Sequence, residues 1–143
     1  MSEDVLIVKN LQTAFDTESG RLTAVDGVSF TVPAGKTVGI VGESGCGKSV
    51  TAMSIIQMTP QHSGVNTGRE VRFKGKNLIG VDDETLYNIR GNEIGVIFQE
   101  PMTAINPVQR IGKQLSESLI LHKGLSKKDA WKESIELLEM VGI

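Results

Sequence analysis

The residues best equipped for chemistry in this chain are Gly42-Glu43-Ser44-Gly45-Cys46-Gly47-Lys48-Ser49. They follow the pattern glycine, four residues, glycine, lysine and a hydroxyl residue, the spacing of a phosphate loop. Glycines at 42, 45 and 47 lack Cβ, so the backbone can curl tightly and aim successive N–H groups at phosphate oxygens. The start of a helix adds positive potential at the same place. Lys48 can reach β- and γ-phosphates as a point charge, and the Ser49 hydroxyl can ligate magnesium. Val50 completes the nucleotide-contacting set, and Cys46 fills a variable position rather than serving as a catalytic thiol.

Such a loop needs a strand before it and a helix after it, and the flanking residues supply both patterns. Thr37-Val38-Gly39-Ile40-Val41 is a short apolar run with the look of a buried parallel strand. Ser49 to Met58 reads as a helix, stopped by Pro60 and a polar stretch up to Gly68. Upstream, Val5 to Phe15 and Leu22 to Val32 are rich in β-branched and apolar residues and predict two strands around the turn residues Asp16 to Gly20. Val32-Pro33-Ala34-Gly35 fits a type I turn. Downstream, Glu70 to Phe73 predicts an edge strand and Ile94 to Phe98 another apolar strand. Asp82 to Arg90 predicts a short helix capped by Asp82, with Leu86 and Ile89 on one face. Ile111, Leu115 and Leu119 recur every four residues. Ser126-x-x-Asp129 then caps a last helix carrying Trp131, Ile135, Leu138 and Val141. The order predicts an α/β nucleotide-binding core over residues 1–100 that passes into a helical subdomain over 101–143.

Composition sets the surroundings. With 143 residues, 39% hydrophobic and 22% charged, the chain has ordinary globular usage and the size of one domain. A net charge of -2 leaves no polyanion footprint, so no nucleic-acid partner is expected. One cysteine cannot build a disulfide framework. No apolar run approaches the roughly 18 residues that cross a bilayer, and the acidic start carries no secretory signal. The expectation is a soluble, cytoplasmic protein that meets any membrane through a partner.

Ile94-Gly95-Val96-Ile97-Phe98-Gln99 ends an apolar run in a glutamine, which is placed to coordinate magnesium, to orient an attacking water, or simply to end a strand. The segment Ala24-Val25-Asp26-Gly27-Val28-Ser29-Phe30, the loop at 42–49 and Val96-Ile97-Phe98-Gln99-Glu100-Pro101-Met102 together resemble ATP-binding subunits of ABC transporters. Met102-Thr103-Ala104-Ile105-Asn106-Pro107 resembles the oligopeptide and dipeptide import branch, where leucine is more usual than Ile105. The resemblance implies a P-loop core with an N-terminal antiparallel β subdomain, followed by the start of a helical subdomain. It implies ATP and Mg2+ as ligands, Lys48 and Gln99 as catalytic residues, and Ser49 and Gln99 at the metal. It also implies adenine stacking on an aromatic residue of the first strand region. Phe15 fits that role, and ordinary sheet packing is the competing account. The implied partners are a second ATPase subunit, identical or related, transmembrane permease subunits and, indirectly, a solute-binding protein. The implied location is the cytoplasmic face of the membrane.

In that family a Leu-Ser-Gly-Gly-Gln-like signature, a Walker B strand and a switch histidine should follow. None is in this sequence, so a truncated subunit that binds nucleotide with negligible turnover is expected. The missing strands should leave apolar edges and a marginal, association-prone fragment. Leu78 to Glu84 mimics a Walker B strand, but Gly80 weakens it and helix capping by Asp82 is the better account. Ser126 to Asp129 echoes a guanine-reading motif, and capping again explains it. His62 and His122 have no partner at metal-ligand spacing. Two other functions stay open: a soluble ABC-type ATPase with no permease, and a non-catalytic nucleotide-binding module.

Overall fold

The computed structural model describes residues 4–59, 64–100 and 104–143. Pro60 as a helix stop, the reading of His62, and the Pro101-Met102-Thr103 part of the transporter-like run lie outside them. The chain forms two compact units, Met1–Leu86 and Tyr87–Ile143.

The first unit is built on a long hairpin. β1 (Asp4–Thr17) and β2 (Gly20–Pro33) pair antiparallel and close at Thr17↔Gly20. The Thr17 hydroxyl donates to the Gly20 carbonyl at 2.6 Å, tying the two-residue turn. The expected strands are thus correct and each runs one or two residues further at either end. β4 (Glu70–Phe73) and the short β5 (Lys76–Asn77) extend the sheet in the order β2-β1-β4-β5, while β3 (Gly64–Thr67) pairs with the distal half of β1. Val8, Leu11, Val71 and Leu78 are essentially fully buried. Each such side chain contributes about 1.5–3 kcal/mol of transfer free energy.

Three expectations in this unit need correction. Glu70 to Phe73 is not an edge: β4 lies between β1 and β5, and Val71 and Phe73 are buried. The stretch expected to be polar loop up to Gly68 contains β3, which exists because β1 offers it a ladder. The turn after β2 sits one residue later than expected. Lys36 N–H donates to Pro33 O at 3.1 Å and Gly35 has φ +69, so proline opens the turn and glycine takes the left-handed third position of a type II turn.

A fourth correction bears on the site. Thr37 to Val41 is not a strand and is not buried: Val41 is 95% exposed. Ile94 to Phe98 behaves the same way. Its sole ladder contact among the described residues is a parallel bridge between Arg90 and Ile94, and Ile97 is 97% exposed. A strand is a property of two segments, because its N–H and C=O groups need partners on a neighbour. Among the described residues the first run has none and the second only the bridge at Ile94.

α2 (Asp83–Ile89) spans the boundary between the units. Asp82 caps it as expected, accepting from Thr85 N–H at 2.8 Å. That backbone bond, helped by the Thr85 hydroxyl, holds the Asp82 carboxyl below its ordinary value of 3.8. Leu86 and Ile89, three positions apart, are each buried.

In the second unit α3 (Ile111–Lys123) and α4 (Lys127–Met140) form a helical hairpin. Gly124 (φ +64) ends α3, and its N–H returns to Ile120 O at 3.1 Å. Ser126 caps α4 by accepting from Asp129 N–H at 3.2 Å. The helices match their sequence pattern, but of the apolar residues read on the last helix only Leu138 is even part-buried. Ala130 and Ser134 are buried, whereas Trp131, Ile135 and Val141 are exposed. Small side chains face α3 because they let the two backbones approach, and Ser134 hides its hydroxyl by donating to Ala130 O at 2.7 Å.

Candidate nucleotide site

The loop at 42–49 leads into α1 (Lys48–Ile55), as the pattern predicts. The helix is shorter than the expected 49–58. Gln57 turns left-handed at φ +55 and Met58 N–H reaches back to Met53 O at 2.8 Å, ending it ahead of Pro60.

Two contacts fix α1 to the hairpin. The first is at Gly47, the residue that caps the helix with φ +91. A Cβ there would lie 2.4 Å from the Ala24 carbonyl oxygen, so neither the conformation nor the space admits another residue. Ala24 is itself an extra residue in β2: Thr13 pairs with Val25 and Ala14 with Thr23, leaving Ala24 bulged between them. A bulge turns the local backbone out of the ladder, and here the carbonyl abuts the loop. The second contact is a buried hydrogen bond of 2.7 Å between Thr13 Oγ1 and Ser54 Oγ. Nothing in the residue types of Ala24, Thr13 or Ser54 marks these positioning roles. They emerge only from the register.

Within the loop, Lys48 Nζ donates to Gly42 O at 2.7 Å and to Glu43 O at 2.6 Å, and lies 3.6 Å from Cys46 Sγ. The lysine therefore draws the loop into a ring with its ammonium on the inside. Cys46 packs its sulfur over Gly42, where a Cβ would stand 2.6 Å from it. Cys46 N–H donates to Glu43 O at 3.4 Å. Among the described residues, the N–H groups of Ser44, Gly45, Gly47, Lys48 and Ser49 have no backbone acceptor. These open donors, one helix N-terminus and one ammonium form a set that suits a polyphosphate. Ser49 is exposed, and its hydroxyl has no hydrogen-bond partner among the described residues.

Phe15 is half-buried in β1, opposite Leu22 of β2 and Gly64 of β3. Thr13 points toward α1, and alternation puts Phe15 on the same face, two residues nearer the hairpin tip. Phe15 and residues 42–50 thus lie in the same unit, the first. Gln99 belongs to the second unit and is exposed, in a segment that is not a strand. His122 there packs its ring 5.8 Å from that of Tyr87 and lies against Gly91. Among the described residues no helix is long and apolar enough to cross a membrane.

Comparison with known proteins agrees with this geometry. The model of the family described as ABC transporter matches residues 25–143. The chain is 49% identical to the dipeptide transport ATP-binding protein DppD of Bacillus subtilis, over 99% of this chain and 42% of that protein. It is 45% identical to the oligopeptide transport ATP-binding protein OppD of the same organism, over 97% and 39%. The chain thus spans about two-fifths of the length of these curated relatives. Among solved structures, the ATP-binding cassette MJ0796, a post-hydrolysis dimer bound to ADP and Pi, superposes with a TM-score of 0.75 at 25% identity. The superposition covers 94% of this chain and 56% of that one. Sheet, loop and helical hairpin are therefore those of an ATP-binding cassette, and the chain belongs to the ABC transporter family.

Proposed function

We propose that residues 42–50 bind the phosphates of ATP and that the longer protein uses this site to drive peptide import through a membrane permease. The observation that carries the reading is the Lys48 ammonium, held at 2.7 and 2.6 Å by the loop's own first carbonyls inside a ring of open N–H groups. The import role draws on the DppD and OppD relatives, which are transport ATP-binding proteins.

In this reading the loop amides and Lys48 bind the phosphates and neutralise charge that builds on the γ-phosphoryl group, and α1 orients them. Such catalysis is mostly positioning and electrostatics. Ser49 and Gln99 would hold Mg2+, which would supply further charge neutralisation on the phosphates. Phe15 stacks on the adenine. Functionally the division falls after Glu100, so that Gln99 goes with residues 1–100, and 101–143 opens the helical subdomain. The water-activating base and the second magnesium carboxylate lie outside this chain. Its partners are a second ATPase subunit, transmembrane permease subunits and, indirectly, a solute-binding protein, and the ATPase subunit itself works on the cytoplasmic face of the membrane.

Calorimetry with ATP and Mg2+ tests the site. Lys48→Ala removes a charge-assisted contact of about 1.5–3 kcal/mol, weakening ATP by roughly 10- to 150-fold. Unchanged affinity in that variant would refute the assignment. The chain alone should turn over more slowly than about 1 per second.

A further inference from the structure

Two neighbouring residues of β1 hold the two parts of the chain that meet at Gly47. Thr13, on the face that carries α1, holds that helix through its buried bond to Ser54. Gln12 holds β2, its Nε2 donating to Asp26 Oδ1 at 3.0 Å. Successive strand residues face opposite ways, so the two grips leave β1 on opposite sides.

Asp26 belongs to the least regular stretch of β2. Leu11 pairs with Val28 and Thr13 with Val25, so Gln12 alone stands opposite both Asp26 and Gly27. Gly27 takes φ +70, the left-handed conformation of a glycine bulge. Just before Val25 comes the second bulge, at Ala24, whose carbonyl abuts Gly47. Of residues 24–27 only Val25 keeps a partner position on β1. A ladder interrupted on both sides of one residue leaves the path of the strand loosely set, and the Gln12–Asp26 bond is a side-chain tie across the gap.

That path matters at Gly47. Its carbonyl accepts from Thr51 N–H at 2.8 Å and from Thr51 Oγ1 at 2.9 Å, which locks the peptide plane shared with Lys48 to α1. In a trans peptide the N–H points opposite to the C=O, so Lys48 N–H is aimed out of the helix N-terminus. On its other side Gly47 has no room for even a methyl group against Ala24 O. Contacts this close pass a displacement on, so a shift of β2 at Ala24 reaches the loop.

We propose that Gln12 and Asp26 are positioning residues for the phosphate loop. Their hydrogen bond sets where the Ala24 carbonyl meets Gly47, and so how the N–H groups at the start of α1 present themselves to phosphate. The inference rests on the nucleotide reading of residues 42–50 and adds to it two residues that act only through β2.

The test compares the whole chain with its Gln12→Leu and Asp26→Asn variants by amide resonances without nucleotide and by calorimetry with ATP and Mg2+. Gln12→Leu breaks the bond, whereas Asp26→Asn keeps a carbonyl oxygen for the same donor. In Gln12→Leu the Gly47 and Lys48 amide resonances should move while those of β4, on the far side of β1, stay in place. ATP should bind roughly three- to tenfold more weakly to Gln12→Leu and within about twofold of the parent to Asp26→Asn. Unmoved Gly47 and Lys48 resonances would overturn the proposal, as would undiminished ATP affinity in Gln12→Leu. So would an Asp26→Asn variant as weak as Gln12→Leu, since charge and not the hydrogen bond would then be acting. A parent chain that binds no ATP would instead sink the nucleotide reading, and the Gly47 resonance would still decide whether the Gln12–Asp26 bond places the loop.

Discussion

The sheet of the first unit and the helical hairpin of the second solve the burial problem in opposite ways. Around β1 the large apolar side chains go inward: Val8, Leu11, Val71 and Leu78 are sealed. Between α3 and α4 the buried positions are mostly small or hydroxylic, Ser116, Ala130 and Ser134 with Leu119, and the large groups Trp131, Ile135 and Met140 face out. The first arrangement yields a platform able to fix a loop to within a hydrogen bond. The second yields close backbones and an apolar exterior.

The largest expected contrast is Leu11→Ala, which should cost about 2–5 kcal/mol in denaturant unfolding, whereas Trp131→Ala should cost under about 1. Equal costs would erase the distinction. Thr13→Val tests whether the platform also holds the loop helix. Loss of the Thr13–Ser54 bond should cost about 1–2 kcal/mol and weaken ATP binding along with it. Next comes Ser126→Ala at about 1 kcal/mol, detectable as fraying of α4 by hydrogen exchange with the sheet unaffected. The smallest effect is in pH. Glu70 is held below its ordinary value of 4.5, first by its hydrogen bond from Lys9 at 2.7 Å and also by Arg72. Its folded form favours the carboxylate, so the contribution is complete above pH 4.5 and disappears as pH falls through the lowered value. Asp82 follows the same sign from 3.8. Both groups belong to the first unit, so acid should loosen the sheet before the helical hairpin. Residue-resolved exchange at falling pH would read the order.

What could be read without coordinates was local chemistry. The glycine spacing, the hairpin with its turn, and the Asp82 and Ser126 caps each depend on residues within a few positions of one another. What could not be read depended on a second segment. The runs at 37–41 and 94–98 have strand composition, but composition does not supply a neighbour to pair with. β3 has little strand character and forms because β1 is beside it. The period of α4 was plain, yet which stripe turned inward depended on how close α3 could come, and that favoured alanine and serine over tryptophan and isoleucine. In the site, loop residues were legible one by one, while the bulge at Ala24 and the Thr13–Ser54 bond that hold them were not.

The position of Lys48 has a consequence for how a ligand would arrive. An ammonium offers three N–H bonds. Two are committed to oxygens of the loop, and among the described residues the remaining direction meets only a sulfur at 3.6 Å, a weak acceptor. An incoming phosphate oxygen therefore competes with the thiol alone. Capture exchanges the poorest of three partners for a charged one and leaves the ring's two closing bonds intact.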